Sequence, residues 1–298
     1  MPPLVRTDST SPFGAERVAR VPWDGMDNVR VIIVCGARRT GTTLLAAILS
    51  SDESTPPLPG EAQLLPQWLE SYRWATSNFS IRALPFFRDE EELRRFYRRF
   101  LGEFLVHCRG RFGAASALVL KSPELSLVFP EAYDLFPEAR FLVTIRDPRD
   151  QVASEWRVVE KRRGSEEDLR LLRERDFGTL ARNYVNYYAP ILGVLERSSA
   201  RICIQTYEQL VTAPRRAVAG LESFTGLRLD GFDPASAWPR VADTYWAYGT
   251  SPSDTSYYGR AVEPARVGSY AESMTDAEAR VVQEVCATVT ARLRRFVP

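Results

Sequence analysis

Arg30-Val31-Ile32-Ile33-Val34-Cys35-Gly36-Ala37-Arg38-Arg39-Thr40-Gly41-Thr42-Thr43-Leu44-Leu45-Ala46-Ala47-Ile48-Leu49 decides the fold. Its first six residues are a short β-branched run, the pattern of a strand covered on both faces. Gly36 and Gly41 bound a turn, and the apolar stretch from Thr42 onward reads as a helix. Where a strand hands over to a helix through glycines, free backbone N–H groups and the helix dipole favour an anion. Thr42 and Thr43 add hydroxyl donors. The segment is close to G-x-x-x-x-G-K-[ST], yet Thr42 stands where a nucleotide kinase needs Lys. The cations precede the second glycine, as Arg38 and Arg39. Alone, the loop says phosphate or sulfate without choosing between them.

Working outward, Ala117-Leu118-Val119-Leu120 is a second buried strand that delivers Lys121. Arg140-Phe141-Leu142-Val143-Thr144-Ile145 is a third and delivers Arg146; Arg201-Ile202-Cys203-Ile204-Gln205 is a fourth. Helical sequence separates them: near 61–75, over 89–107, from about 149 to 161, from about 165 to 197, from 208 to about 226, and from 275 to 296. Over 89–107 the expected buried side carries Leu93, Phe96, Phe100, Phe104 and His107. Strands alternating with helices predict an α/β fold, a three-layer α/β/α sandwich with a central parallel sheet of the P-loop nucleotide-binding type. Residues 1–28 read as a loose arm, 29–298 as one domain, and 232–270 as an irregular lid or substrate-side segment.

Bulk properties narrow the function classes. A net charge of +1 over 298 residues gives no global field for nucleic acid or an anionic membrane. No stretch is long and apolar enough for a membrane span, and the first thirty residues lack the apolar core of a signal peptide, so a cytoplasmic enzyme is expected. Cys35, Cys108, Cys203 and Cys286 show no metal-ligand spacing. Lys occurs only at 121 and 161 among 39 basic residues, which makes a strand-end Lys121 conspicuous.

Four pieces in order carry a resemblance. Arg39-Thr40-Gly41-Thr42-Thr43-Leu44 resembles the 5′-phosphosulfate loop of sulfotransferases that use 3′-phosphoadenosine 5′-phosphosulfate (PAPS). Leu120-Lys121-Ser122-Pro123 is similar to a Lys-x-Pro segment of their bacterial, tyrosylprotein-sulfotransferase-like branch. Ile145-Arg146-Asp147-Pro148, with Ser154 eight residues after the Arg, looks like the 3′-phosphate motif; Tyr207-Glu208-Gln209-Leu210 resembles the segment whose Tyr lies near the adenine. Together they span about 31–213. The resemblance implies that Arg38, Arg39, Thr40, Gly41, Thr42, Thr43, Arg146, Ser154 and Tyr207 bind the donor. Arg266, in a Val-Gly segment before the last helix, is a further contact it implies.

For catalysis, Arg39 and Lys121 are expected to hold the sulfonyl oxygens and the leaving phosphate. Many cytosolic relatives use a His as base, but the single His107 sits within a helix away from every motif and reads as structural. The tyrosylprotein-like branch uses the second Glu of a Gly-Glu-Glu segment. Here Gly60-Glu61-Ala62 stands in that place, and Ala62 falls in the Glu column unless the proline-rich 55–59 holds one extra residue. We take Glu61 as the base. The expected product is the 3′,5′-bisphosphate, with no metal required. The expected acceptor is a natural product, lipid or sugar hydroxyl; Trp68, Trp74, Trp156 and the aromatics of 238–258 either line its cleft or belong to the core. A small-molecule kinase and a non-catalytic PAPS-fold binding protein remain as alternatives, and the oligomeric state stays open, a homodimer included.

Overall fold

The computed structural model describes residues 26, 28–58, 60–113, 115–236 and 261–298. Four parallel strands, β1 (Arg30–Gly36), β2 (Ala117–Lys121), β3 (Arg140–Ile145) and β4 (Ile202–Thr206), pair in the order β2-β1-β3-β4. Side chains alternate across the sheet with the period of two that a pleated strand imposes. Val31, Ile33, Cys35, Leu118, Leu120, Phe141 and Val143 enter one apolar layer, and Ile32, Val34, Val119 and Leu142 enter the other. Ile32, Ile33, Val34, Phe141 and Leu142 are fully buried, each such side chain contributing roughly 1.5–3 kcal/mol. The three-layer expectation therefore holds.

Helices α1 (Thr42–Leu49), α9 (Tyr207–Thr212) and α10 (Pro214–Thr225) cover the second layer. On the first lie α2 (Leu64–Thr76), α4 (Glu90–Arg111), α5 (Phe129–Leu135), α6 (Pro148–Arg162), α8 (Phe177–Leu195) and α11 (Asp276–Arg294), with α3 (Phe79–Arg82) and α7 (Glu166–Glu174) beside them. Caps explain most boundaries. Asp89, Ser165, Asp176, Thr206 and Thr275 each accept a backbone N–H of the first turn that follows. Asp147 does the same for α6, with Pro148 at its first position.

Three expectations change in detail. The charged run 165–197 is two helices, because Arg175 turns left-handed at φ 49° and Asp176 caps a new start. The run 208–226 is also two, because Pro214 forces Ala213 out of the helical region. On α4 the buried stripe is Leu93, Leu101, Leu105 and Cys108. Phe96 and Phe100 are 56% and 40% exposed, and His107 is exposed as well. Two apolar stripes at helical spacing lie on α4, and tertiary packing selected the leucine one. Of the predicted arm, residues 1–25 lie outside the described residues, while Met26 is buried in the core. The core of the predicted lid, 237–260, lies outside them too; its far end forms two 3₁₀ turns, Pro264–Arg266 and Ser269–Glu272.

From β1 the chain crosses to β2 on one side, and β3 and β4 lie on the other. The carboxyl ends of β1 and β3 therefore form a topological switch point, where open α/β sheets bind ligands. Gly36 pairs with Thr144 there, two residues before Arg146.

Candidate active site

The loop after β1 is shaped from below. Gly36 has φ 135°, and a Cβ on it would lie 2.4 Å from the Thr144 carbonyl oxygen, so no side chain fits. Gly36 N–H donates to Ser126 Oγ at 2.8 Å and Ala37 N–H to Tyr188 Oη at 3.2 Å; Tyr188 Oη donates to the Thr144 carbonyl at 2.6 Å. Thr40 Oγ1 donates to Ala37 O at 2.6 Å and lies 2.7 Å from Thr144 Oγ1. The Thr40 hydroxyl thus pins the loop and faces inward, and the Thr40 N–H also donates to the Ala37 carbonyl at 3.4 Å. Arg39 is held at φ 67°, a left-handed conformation that a non-glycine residue keeps only when its surroundings enforce it. Gly41, at φ 91°, begins α1 without a side-chain cap. A Cβ there would come within 2.8 Å of Tyr207 Cδ2, so the missing side chain lets the Tyr207 ring close on the loop.

One end of the loop meets β2. Lys121 Nζ, 1% exposed, donates to Thr43 Oγ1 at 3.1 Å and to Glu61 Oε1 at 2.6 Å. An ammonium has three donors, so these bonds leave one for an incoming oxygen. The Glu61 side chain is 28% exposed, and Ala62 N–H is tied to the Lys121 carbonyl at 2.8 Å. With that backbone bond in place, Glu61 presents its carboxylate to Lys121 and Ala62 packs against the core.

The other end meets β3 and α6. Arg146 Cζ lies 4.3 Å from the Tyr207 ring centroid, a cation–π geometry. Its Nη1 donates to Arg39 O at 3.2 Å and its Nη2 to Arg266 O at 2.5 Å. Its Nε is buried without a hydrogen-bond partner among the described residues. Burial, and then the Arg39 cation, hold the Arg146 guanidinium below the ordinary arginine range, against the pull of Tyr207, Asp150 and Glu208. Burial likewise raises the Tyr207 phenol, and the Arg146 cation opposes it. Arg39 Nε donates to Ser154 Oγ at 3.3 Å. Arg38 is directed elsewhere: its half-exposed guanidinium pairs with Glu124 at 2.7 Å.

Arg39, Arg146, Ser154, Tyr207 and the Arg266 backbone therefore converge at one end, and Lys121, Glu61 and Thr43 at the other. Sequence reading missed the supports. Glu208 accepts Asp147 N–H at 2.8 Å, which seats α6 against the Tyr207 turn. Asp150 accepts Gly268 and Tyr270 N–H at 2.7 and 2.9 Å and straps 266–270 over the arginines. Arg157 was missed as well, although one helical turn from Ser154 its spacing was a usable signal. Trp156 is core, packed 4.5 Å from Phe177, whereas Trp74 is exposed under Arg82. Among the described residues no group of three or more His, Cys, Asp and Glu gathers for a metal, and no helix is long and apolar enough to cross a membrane.

A glycine-bounded strand-to-helix loop, cationic at one end and carrying a carboxylate–ammonium pair at the other, is the arrangement of a site for anionic groups. Residues 31–231 match the sulfotransferase family, and the chain belongs to it. Two solved structures share the fold. The sulfotransferase domain from the curacin biosynthetic pathway is 16% identical, with 88% of this chain and 98% of that one covered at a TM-score of 0.56. The sulfotransferase domain of the Synechococcus PCC 7002 olefin synthase is 17% identical, with coverage of 87% and 95% at a TM-score of 0.51. No curated protein matches it in sequence.

Proposed function

We propose that this sulfotransferase takes its sulfonyl group from PAPS and passes it to a hydroxyl, or similar nucleophile, of a small-molecule acceptor, with Glu61 as base. The observation that carries the reading is Lys121 Nζ held between Thr43 and Glu61, at 3.1 and 2.6 Å, at one end of a loop whose other end is cationic. The residues fit such a donor: a buried Arg146 Nε has no partner among the described residues, and the guanidinium that carries it lies against the Tyr207 ring beside the loop. When bound, PAPS supplies a sulfonyl group activated by its bond to phosphate.

The protein's part follows from its donors. The N–H groups at the start of α1, with Thr42 and Thr43, hold the 5′ end through the helix dipole. Arg39 bridges toward Ser154, and Arg146 with Ser154 holds the 3′-phosphate through charge-assisted bonds. Tyr207 offers its ring to the adenine beside Gly41. Lys121 steadies the sulfonyl and leaving oxygens, and Glu61 receives the acceptor's proton at Oε1 or Oε2. A natural-product, lipid or sugar hydroxyl is the acceptor class.

The test is ³⁵S transfer from labelled PAPS onto a metabolite extract, with chelator present. Label appearing in an acceptor supports the reading. No ³⁵S transfer, with labelling only from γ-³²P-ATP in a parallel reaction holding Mg²⁺ and no chelator, overturns it in favour of a phosphotransferase. Tight binding of the 3′,5′-bisphosphate with no transfer to any acceptor overturns the catalytic part.

A further inference from the structure

Arg157 lies on α6 one turn beyond Ser154, on the side that faces the strap. Its Nη1 donates to Ser273 Oγ at 3.1 Å and its Nη2 to Ser269 Oγ at 3.3 Å. Nη1 also lies 3.7 Å from Glu272 Oε2, and that same oxygen lies 3.2 Å from Arg266 Nη1. Arg146 reaches the same strap through the Arg266 carbonyl. Burial first, and then the Arg266 and Arg146 cations, press on the Arg157 guanidinium, while Glu272 and Asp150 relieve it. Asp150 spends both carboxylate oxygens on strap N–H groups. Among the described residues, Glu272 is the carboxylate that faces both Arg157 and Arg266, and its side chain is 62% exposed.

A phosphate monoester carries close to two charges and three acceptor oxygens; a carboxylate carries one charge and two oxygens. The phosphate is therefore the stronger partner for two guanidinium forks. We propose that the donor's 3′-phosphate displaces Glu272 from Arg157 and Arg266, so that Arg157 reads the 3′-phosphate and Glu272 is a built-in competitor for it. This rests on the PAPS reading above. It makes the strap a discriminator: a nucleotide without the 3′-phosphate leaves the Glu272 pairs in place and gains nothing from them.

Calorimetry on the full chain, at low salt, with adenosine 3′,5′-bisphosphate and adenosine 5′-monophosphate tests it. The wild type is expected to prefer the bisphosphate. Arg157→Gln should weaken bisphosphate binding by about tenfold or more, the loss typical of one charge-assisted contact. Monophosphate binding should stay within about twofold, because that ligand lacks the group Arg157 reads. Glu272→Gln should do the reverse, tightening the bisphosphate by about threefold to tenfold with the monophosphate unchanged. Glu272 is exposed, so this second variant carries the test if Arg157→Gln does not fold. A wild type that discriminates, with Glu272→Gln and any folded Arg157→Gln keeping its ratio, overturns the proposal alone. A wild type that does not discriminate overturns the donor reading and this inference with it.

Discussion

Where Lys121 meets Glu61 the site holds one ammonium and one carboxylate 2.6 Å apart, beside a threonine hydroxyl. Where Arg146 meets the strap it holds Arg39, Arg146, Arg157 and Arg266, with Tyr207 beneath and Asp150 fastening the cover. The first end is sparse and pairs a carboxylate with a compact, buried ammonium, an arrangement that in the proposed function suits charge appearing only during reaction. The second is crowded with planar forks, suited to charge that is present throughout. In the proposed function, binding and turnover are therefore carried by different ends of one loop and should be separable by mutation.

The largest separation is expected from Lys121→Met. It should lower kcat by about a hundredfold to a thousandfold, as removal of a transition-state donor does. Affinity for the 3′,5′-bisphosphate should stay within about tenfold, since the opposite end keeps its forks. Equal losses in both would merge the two ends. Arg146→Gln should show the mirror image: bisphosphate affinity down by about a hundredfold, with kcat at saturating donor within a few-fold. Titration and saturation kinetics on one preparation decide it. Gly41→Ala sits between the ends and sharpens the comparison. The new methyl meets Tyr207 Cδ2 at 2.8 Å on a φ of 91°, so stability should fall by about 1–2 kcal/mol for the left-handed backbone alone. Binding should fall by about tenfold as the Tyr207 ring is displaced from its stacking position. The smallest effect belongs to Arg38→Ala. Its half-exposed pair with Glu124 is worth under about 1 kcal/mol. Bisphosphate affinity should change less than about threefold, because the side chain is turned to Glu124. A larger loss would bring Arg38 back into the binding end.

Much of this was legible in the amino acids. A β-branched run, two glycines and an apolar helix fix the loop by local rules, and strand ends deliver Lys121 and Arg146 wherever the sheet places them. The resemblance in four ordered pieces led to the family that residues 31–231 match. Sequence reading failed where distant packing decides. Periodicity marks two apolar stripes on α4 but cannot say which enters the core, and Leu101 and Leu105, not Phe96 and Phe100, do. The resemblance gives no hint that the Thr40 hydroxyl donates to the Ala37 carbonyl and lies against Thr144 Oγ1, brought alongside by strand pairing. Asp150 and Arg157 gain meaning only from Gly268, Ser269 and Ser273, more than a hundred residues later. The pairing of Glu61 with Lys121, sixty residues apart, likewise depends on the sheet bringing β2 beside the first loop.

Glu61→Gln is the most direct test of the central claim, because it keeps the shape of the transfer end and removes its capacity to accept a proton. Single-turnover ³⁵S transfer from labelled PAPS, in chelator, would be measured beside 3′,5′-bisphosphate affinity on the same protein. The account predicts unchanged affinity with transfer slowed by about a hundredfold or more, the range of a lost general base. Transfer at the wild-type rate, with affinity intact, would contradict it.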